Sequence, residues 1–304
     1  MRKIAFVFSG QGAQYSGMGK ELYEISPAAK AVFELADTIR RDTSHQCFYG
    51  TREELTQTVN TQPCLYCVDL AAAEALRENG VIPTAVAGFS LGEIPALTFA
   101  GILRKQDGFS LVCKRGEYMQ SSAENFDSVM LAVLRLKNRV IEGLCKNYGN
   151  IYPVNYNCPG QLVVAGLREE IEQFKSDVKQ AGGRAVSLSV SGGFHSPFME
   201  KASHKFANEL KKYTMLCPDI DIYSNYTANL YNENIENLMA EQIKNPVRWQ
   251  EIIENMTASG INIFIEVGAG KILSGLIGKI SEEVQIYNVE DKASLENTLE
   301  KLKY

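Results

Sequence analysis

A serine in a short, glycine-flanked turn is the residue of this sequence best placed to do chemistry. Ser90 is the centre of the run GFSLG, residues 88–92, between a predicted strand over residues 84–89 and a predicted helix over residues 92–100. In such a turn the hydroxyl projects from the end of a sheet, while the next amide and the helix N-terminus face a reacting oxygen. A turn of no chemical importance could carry the same letters, but this context favours Ser90 as a nucleophile.

A base is required next, because a serine hydroxyl is a weak nucleophile until its proton is removed. Of the three histidines, His45 lies in a predicted polar loop and His204 within a predicted helix among charged residues, so both are expected at the surface. His195 precedes Pro197, where a predicted strand gives way to a helix, and loops of this kind often carry catalytic groups. We therefore predict that His195 is the base for Ser90.

The remaining members of a serine catalytic site are less evident. No Asp or Glu between Ser90 and His195 follows a predicted strand in the position of a third triad member. A dyad in which a backbone or amide oxygen fixes the imidazole tautomer is therefore predicted. An oxyanion also needs two hydrogen-bond donors. The amide of Leu91 is one natural source, and the loop at Gln11 is a source of the other.

The elements that must hold these residues alternate between strand and helix patterns, which predicts an α/β layer fold. Between residues 127 and 191 the order changes to βαββαβ, the order of a ferredoxin-like unit. At roughly 150 residues per domain, the chain of 304 residues corresponds to about two units. We predict an α/β-hydrolase-like main domain with a parallel sheet, built from residues 1–126 and 192–304, and a ferredoxin-like small domain inserted at residues 127–191.

Two prolines mark predicted helix starts in the first part of the main domain. Each follows a side chain that could cap free amides, in Ser26-Pro27 and in Thr61-Gln62-Pro63. We therefore expect helices to begin near residues 27 and 63.

Composition and charge exclude several functional classes. The hydrophobic share of 45% and the charged share of 22% are those of a soluble globular protein, and no apolar run approaches the roughly 18 residues of a membrane helix. The net charge of −5 offers no basic surface for nucleic acid or anionic membranes. Seven scattered cysteines are typical of reduced thiols, and the first residues lack a signal-peptide pattern. A cytoplasmic protein without nucleic-acid or membrane partners is predicted.

No metal site is indicated. Cys64 and Cys67 have C-x-x-C spacing, but they lie inside a predicted helix and the sequence has no second pair of this kind. There is no P-loop, and the glycines of residues 10–14 lack the spacing of a dinucleotide-binding fingerprint.

Eight separated motifs point to a known family. They are GQGAQ at residues 10–14, TQP at 61–63, GFSLGE at 88–93, RG at 115–116, NCPGQ at 157–161, FHSP at 194–197, NPVRW at 245–249 and EVGAGK at 266–271. With these motifs in this order, the sequence resembles the malonyl-CoA:acyl carrier protein transacylases over nearly its whole length, including the ferredoxin-like insert.

The resemblance implies a role for each residue that matches a position of the family. Ser90 matches the serine that carries the acyl group, and His195 matches its base. Gln11 and Leu91 match the residues whose backbone amides form the oxyanion hole. Gln242, shortly before the NPVRW motif, matches the residue whose backbone carbonyl orients the histidine.

The resemblance also implies how the acyl group is recognised. Arg115 matches the arginine that binds the free carboxylate of a malonyl group, and a planar guanidinium can hold a carboxylate by two parallel hydrogen bonds. A neutral acetyl group is expected to leave Arg115 buried without a partner, at a cost of several kcal/mol. Phe194 and Asn157 match as substrate-pocket residues, and Phe194 resembles the pattern associated with malonyl rather than methylmalonyl.

Four positions depart from the usual residues of the family without removing a reacting group. Phe89 replaces the histidine usual before the nucleophile, and Ser9 stands where proline is common. Ser128 stands where glycine is often found, and Ala269 breaks the usual Gly-Pro-Gly. Phe89 puts in doubt any role for a polar side chain at its position.

The implied activity is transfer of a malonyl group from malonyl-CoA to the phosphopantetheine thiol of acyl carrier protein, through a serine ester, for fatty acid synthesis. No cofactor is consumed, since the coenzyme A thioester is a substrate, and a monomer is expected because one chain contains every matched group. The alternatives are a discrete acyltransferase that serves a polyketide synthase, a serine hydrolase or thioesterase that passes the acyl group to water, and a noncatalytic binding protein.

Overall fold

Two β-sheets organise the chain in the computed structural model, which describes residues 2–302. Within that range the strands are β1 Ile4–Phe8, β2 Ala85–Gly88, β3 Ser128–Leu134, β4 Ile151–Cys158, β5 Gln161–Leu167, β6 Arg184–Ser187, β7 Asp221–Tyr223, β8 Ile263–Val267 and β9 Gln285–Val289. The helices are α1 Lys20–Ile25, α2 Pro27–Ile39, α3 Thr43–Tyr49, α4 Arg52–Thr56, α5 Thr58–Glu78, α6 Glu93–Phe99, α7 Lys105–Ala123, α8 Asn138–Cys145, α9 Arg168–Gln180, α10 Glu200–Leu210, α11 Ile235–Lys244, α12 Trp249–Ala258, α13 Ile272–Ile280 and α14 Lys292–Leu302. Short 3-10 turns cover Ser90–Gly92 and Pro197–Met199.

The larger sheet is parallel, with strand order β7-β2-β1-β8-β9. It is covered on both faces, because successive side chains of β1 alternate between one core with Phe6 and Phe8 and a second core with Ala5 and Val7. Phe8 of β1 is paired with Gly88 of β2, so both strands end at the same edge of the sheet. The loops that follow these two strands therefore lie side by side.

The smaller sheet is antiparallel, with strand order β4-β5-β3-β6, and its elements follow one another as βαββαβ. One face packs against α8 and α9 through a cluster that includes Val133, Ile141 and Phe174. The other face contributes Met130 and Val163 to the main core. The predicted α/β class, with a parallel sheet and a separate small antiparallel sheet, is confirmed. The ferredoxin-like name and the boundaries at residues 127 and 191 stay predictions.

The two predicted helix starts have different outcomes. Ser26 caps α2, with its Oγ accepting a hydrogen bond from the backbone N of Ala29. The prediction at Thr61 is wrong, because α5 begins at Thr58 and continues through Pro63. Nearly every residue of α5 is buried, mainly against α2 and α7, so tertiary packing stabilises a helix that the proline signal places a turn too late.

The outer elements are those that the sequence patterns miss. His45 is exposed as expected, but it lies on α3 rather than in a loop. His204 is exposed on α10, as predicted. The short helices α1 and α4 and the last pair, β9 and α14, are not predicted. β9 is an edge strand whose residues are mostly only partly buried, so it has neither a clear alternation nor a continuous apolar run.

Candidate active site

The turn at Ser90 has the geometry of a nucleophile placed at the end of a strand. β2 ends at Gly88, two residues before Ser90, and the 3-10 turn leads into α6. Ser90 has a positive φ of 55°, a strained conformation for a residue with a side chain. Glycine is required on both sides, because a Cβ at Gly88 would overlap the backbone of Gly92, and one at Gly92 would overlap the backbone of Phe8. The strand-turn-helix context expected for the nucleophile is therefore present.

The imidazole of His195 is held between this serine and a backbone carbonyl. Nε2 of His195 lies 2.6 Å from Oγ of Ser90. Nδ1 lies 2.8 Å from the backbone oxygen of Gln242, a residue of α11. Because a carbonyl oxygen can only accept, Nδ1 carries the proton and Nε2 is left to accept from the hydroxyl. The structure thus brings together the predicted nucleophile, base and orienting carbonyl.

The protonation state of His195 follows from its surroundings. Burial, and after it the positive charge of Arg115, lower the pKa of His195 from 6.5 to about 4. Since the residue is only 3% exposed, water does little to stabilise the charged imidazolium. His195 is therefore neutral at pH 7 and able to accept a proton.

A pH profile tests this protonation state. The rate constant for labelling of Ser90 by a fluorophosphonate probe is expected to stay nearly constant from pH ~8 to ~5.5. It should fall to half its value near the pKa of about 4, where His195 takes up a proton. Circular dichroism at each pH shows whether the protein stays folded. A midpoint near 6.5 in folded protein would contradict an imidazole that is buried and faces the charge of Arg115.

Arg115 reaches the same point from α7. Its Nη2 lies 3.3 Å from Oγ of Ser90 and 2.8 Å from Oε1 of Gln242. Its Nη1 lies 2.9 Å from Oε1 of Gln62, whereas its Nε is buried and has no hydrogen-bond partner among residues 2–302. Burial lowers the pKa of Arg115 to about 10, which leaves the guanidinium charged at neutral pH. A fixed positive charge whose Nε has no partner in the described part of the chain therefore lies beside the nucleophile.

A cleft of about 670 Å³ opens beside the turn that carries Ser90, with Phe89 in its wall, although Ser90, His195 and Arg115 are not among its lining residues. Gln11 and Phe89, from the loops after β1 and β2, line one part of it, and Asn155 and Asn157 of β4 line another. The Oδ1 atoms of both asparagines are buried and have no hydrogen-bond partner in the described part of the chain. Buried acceptors of this kind are normally paired, so they are suited to accept N–H groups of a bound ligand.

The other predicted site residues take different positions. Gln11 and Leu91 follow neighbouring strand ends, and Gly10 packs directly against Phe89, which brings their two loops into contact. The use of the Gln11 and Leu91 amides as oxyanion donors stays a prediction. Phe194 is buried in the main core and is not among the residues that line the cleft.

Three buried polar residues around the dyad have no role in the sequence predictions. Gln62, on α5, binds Arg115. Asn225, in the loop after β7, accepts a hydrogen bond of 2.7 Å from the backbone N of Ser90. Glu93 accepts one of 2.6 Å from the backbone N of Asn225, and burial raises the pKa of Glu93 to about 8. Gln62 and Glu93 belong to two of the eight motifs, and this membership could have marked them as site residues. Asn225 lies outside all eight motifs.

Three further features bear on other functions: the cysteine pair, clusters of metal-ligating side chains, and membrane-spanning helices. Cys64 and Cys67 are buried free thiols on α5. In residues 2–302, no three His, Cys, Asp or Glu side chains are grouped so that they could hold a metal ion. None of the helices in that range has the length and apolar character needed to span a membrane.

The chain is similar to known proteins over nearly its full length. The family model of the acyl transferase domain matches residues 5–290. The malonyl CoA-acyl carrier protein transacylase of Bacillus subtilis strain 168 is 39% identical over 311 residues, which cover 100% of this chain and 98% of that protein. The protein of the same name from Escherichia coli K12 is 33% identical over 308 residues, with 99% of this chain and 100% of that protein covered.

Solved structures show the same similarity in three dimensions. A malonyl CoA-acyl carrier protein transacylase from Clostridium perfringens superposes with a TM-score of 0.95 at 38% identity, covering 99% of this chain and 97% of that chain. A second structure is described as a type II PKS acyl-carrier protein in complex with its malonyl-transacylase. It has a TM-score of 0.94 at 34% identity and covers 98% of this chain and 99% of that chain. The similarity therefore extends over both sheets.

Proposed function

The chain belongs to the malonyl-CoA:acyl carrier protein transacylase family, and from this premise we propose that it transfers a malonyl group from malonyl-CoA to the phosphopantetheine thiol of acyl carrier protein, for fatty acid synthesis. The observation that carries the proposal is the convergence of Ser90, His195 and Arg115 on one point. A nucleophile with its base, and a fixed cation 3.3 Å from the nucleophile, suit transfer of an acyl group that bears a free carboxylate.

The first half-reaction forms an ester on Ser90. Nε2 of His195 accepts the hydroxyl proton while Oγ attacks the thioester carbonyl, and the backbone amides of Gln11 and Leu91 stabilise the oxyanion. When the tetrahedral intermediate collapses, the C–S bond breaks and the leaving sulfur takes the proton from His195. Coenzyme A departs as a thiol, and the imidazole is neutral again.

The second half-reaction reverses these steps with a different thiol. The phosphopantetheine thiol gives its proton to His195, and its sulfur attacks the ester carbonyl. The C–Oγ bond breaks, Ser90 takes the proton back from the imidazole, and malonyl-carrier protein leaves. The same base and the same oxyanion donors serve both half-reactions. Because coenzyme A leaves before the carrier thiol attacks the ester, the reaction follows a ping-pong order.

In this proposal the malonyl carboxylate binds Arg115, and one expectation from the sequence needs correction. A neutral acyl group would not leave this arginine without a partner, because amide oxygens of Gln62 and Gln242 already accept from its Nη atoms. A carboxylate is a stronger partner than these neutral amides, because it adds an opposite charge and can accept two parallel N–H bonds from the planar guanidinium. Selectivity for malonyl then depends on how much more strongly Arg115 binds a carboxylate than it binds the two amide oxygens. It also depends on the hydrogen bond that the unpartnered Nε can donate to the carboxylate.

The cleft is proposed to hold the pantetheine arm, which malonyl-CoA and the carrier protein share. The unpaired oxygens of Asn155 and Asn157 are suitable acceptors for its amide N–H groups. Phe194 does not line this cleft, so exclusion of an α-methyl group by its ring is proposed to act at the acyl end, beside His195. A monomer in the cytoplasm that consumes no cofactor and no metal completes the proposal.

A discrete acyltransferase of a polyketide synthase is the second candidate. The 34% identity to the malonyl-transacylase solved with a type II PKS carrier protein favours it. Its chemistry is the same and only its carrier differs, so the distinction depends on which carrier protein accepts the malonyl group faster.

Radiolabelled malonyl-CoA tests the proposal and separates the alternatives. We expect label to be retained on Ser90 at about one group per chain and to leave only when a carrier thiol is added. Parallel reactions with a fatty-acid carrier and a polyketide carrier assign the pathway. Rapid release of free malonate without a carrier would instead identify a hydrolase, and no label on the protein would leave only a binding function.

A further inference from the structure

Asn225 is a completely buried polar residue that the mechanism above does not use. It lies in the loop after β7, the strand next to β2, at the same edge of the sheet as Ser90. Its side chain makes two short hydrogen bonds to the turn. Oδ1 accepts from the backbone N of Ser90 at 2.7 Å, and Nδ2 donates to the backbone O of Gly88 at 2.6 Å. One amide group thus bridges the two residues on either side of Phe89.

This bridge acts on a turn that is strained. Ser90 keeps a φ of 55°, and such a conformation persists only where the surrounding structure enforces it. Asn225 holds the backbone on both sides of the turn with one rigid group. Since Oγ of Ser90 and the amide of Leu91 project from the same turn, a relaxation of Ser90 would move the nucleophile and the proposed oxyanion donor together.

Further contacts hold Asn225 in place. Its backbone N donates to Oε1 of Glu93 at 2.6 Å, and its backbone O accepts from the N of Arg248 at 3.0 Å. Gln242 Nε2 donates to the backbone O of Ser90 at 2.7 Å and approaches Oδ1 of Asn225 at 3.4 Å. Glu93 is the first residue of α6, the helix that follows the Ser90 turn. This helix therefore fixes the loop of Asn225, and Asn225 fixes the Ser90 turn.

We propose that Asn225 is a positioning residue for acyl transfer. Its side-chain amide keeps Ser90 in the conformation in which Oγ faces His195. The inference rests on the proposed function only for the identity of the acyl group, because every acylation of Ser90 requires the same turn.

Two substitutions test the bridge. Asn225→Ala removes both hydrogen bonds to the turn, and Asn225→Asp keeps the size and the acceptor but loses the donor to the Gly88 carbonyl. For both we expect the rate constants of fluorophosphonate labelling and of malonyl ester formation to fall about 100-fold, because a displacement of about 1 Å has an effect of this order. The KM for malonyl-CoA should change little, since Asn225 neither lines the cleft nor contacts Arg115, so the loss falls on kcat.

Asn255→Ala is the matched control. Asn255 Nδ2 donates to the backbone O of Ala228 at 2.9 Å, in the same loop, so its removal loosens the loop without touching the turn. Its labelling rate should stay within about twofold of the unmodified protein. Rates are expressed per titratable site from the final extent of labelling, so that unfolded molecules do not contribute.

The outcomes are distinct. The proposal is overturned if both Asn225 variants label at the unmodified rate per site, or if Asn255→Ala slows labelling by the same factor as they do. If the unmodified protein reacts with the fluorophosphonate but forms no malonyl ester, the proposed function fails, and the probe reaction still decides the role of Asn225.

Discussion

Replacement of Ser90 by alanine is expected to abolish the acyl-enzyme. Intact mass spectrometry after mixing with malonyl-CoA should show one malonyl adduct on the unmodified protein and none on Ser90→Ala. Transfer to the carrier should fall by at least about 10⁴-fold, because His195 then has no hydroxyl to deprotonate and any remaining activity depends on binding and the oxyanion donors alone. The expectation rests on the 2.6 Å contact between Oγ and Nε2 of His195.

Ser110→Ala is the matched control for this substitution. Ser110 lies on α7, the helix that also carries Arg115, and its Oγ donates to the backbone O of Gln106 rather than to any residue of the dyad. Its adduct and its transfer rate should be unchanged. An adduct of the same size on Ser90→Ala would locate the acyl group elsewhere and remove the central assumption of the mechanism.

Replacement of Arg115 by alanine is expected to remove the preference for a carboxylate-bearing acyl group. With malonyl-CoA, kcat/KM should fall by about 100-fold or more, which corresponds to ~3 kcal/mol for the loss of charge-assisted hydrogen bonds. With acetyl-CoA, kcat/KM should change far less, because no ion pair is lost. Ester hydrolysis should rise relative to transfer, since the acyl chain is no longer fixed away from water.

The same variant has a second readout in its pH profile. The charge of Arg115 is the second largest cause that lowers the pKa of His195, so its removal should move the acidic midpoint of probe labelling upward from about 4. Lys114→Ala is the control, because Lys114 is a neighbouring, partly exposed cation paired with Glu117. An Arg115→Ala enzyme with unchanged malonyl preference, hydrolysis and pH midpoint would refute the proposed role.

The turn at Ser90 is predictable from sequence because its requirements are local. Five consecutive residues supply the glycines, the serine and the change from strand to helix. His195 is found by elimination among three histidines, although its contact with Ser90 spans 105 residues of chain. The carbonyl of Gln242 comes only from the resemblance, since every residue has a backbone oxygen and none can be singled out by type.

Asn225 marks the limit of such reasoning. It acts across 135 residues through an ordinary side chain in a loop, and nothing in its neighbours along the chain indicates a buried bridge. The features of the fold also differ in how far they can be predicted from the sequence. The order βαββαβ follows from local periodicity, whereas the strand order β4-β5-β3-β6 depends on pairings between distant segments that periodicity does not encode.

The amide oxygens that face Arg115 were also beyond prediction, and they change the argument about selectivity. In the sequence alone, Arg115 has no visible partner, which suggests an all-or-none requirement for a carboxylate. Gln62 and Gln242 approach it from helices α5 and α11, which are widely separated along the chain from each other and from α7. Only the folded arrangement shows that the guanidinium is already partnered before a substrate arrives.

Position 242 makes contacts of different mutability. The oxygen that aligns the imidazole is part of the main chain, so no amino-acid exchange deletes it, whereas the oxygen that meets the guanidinium belongs to the side chain. Acyl preference could therefore drift during evolution, or be redesigned in the laboratory, by exchanges at this site that keep a side-chain donor for the backbone O of Ser90, which Gln242 Nε2 now supplies.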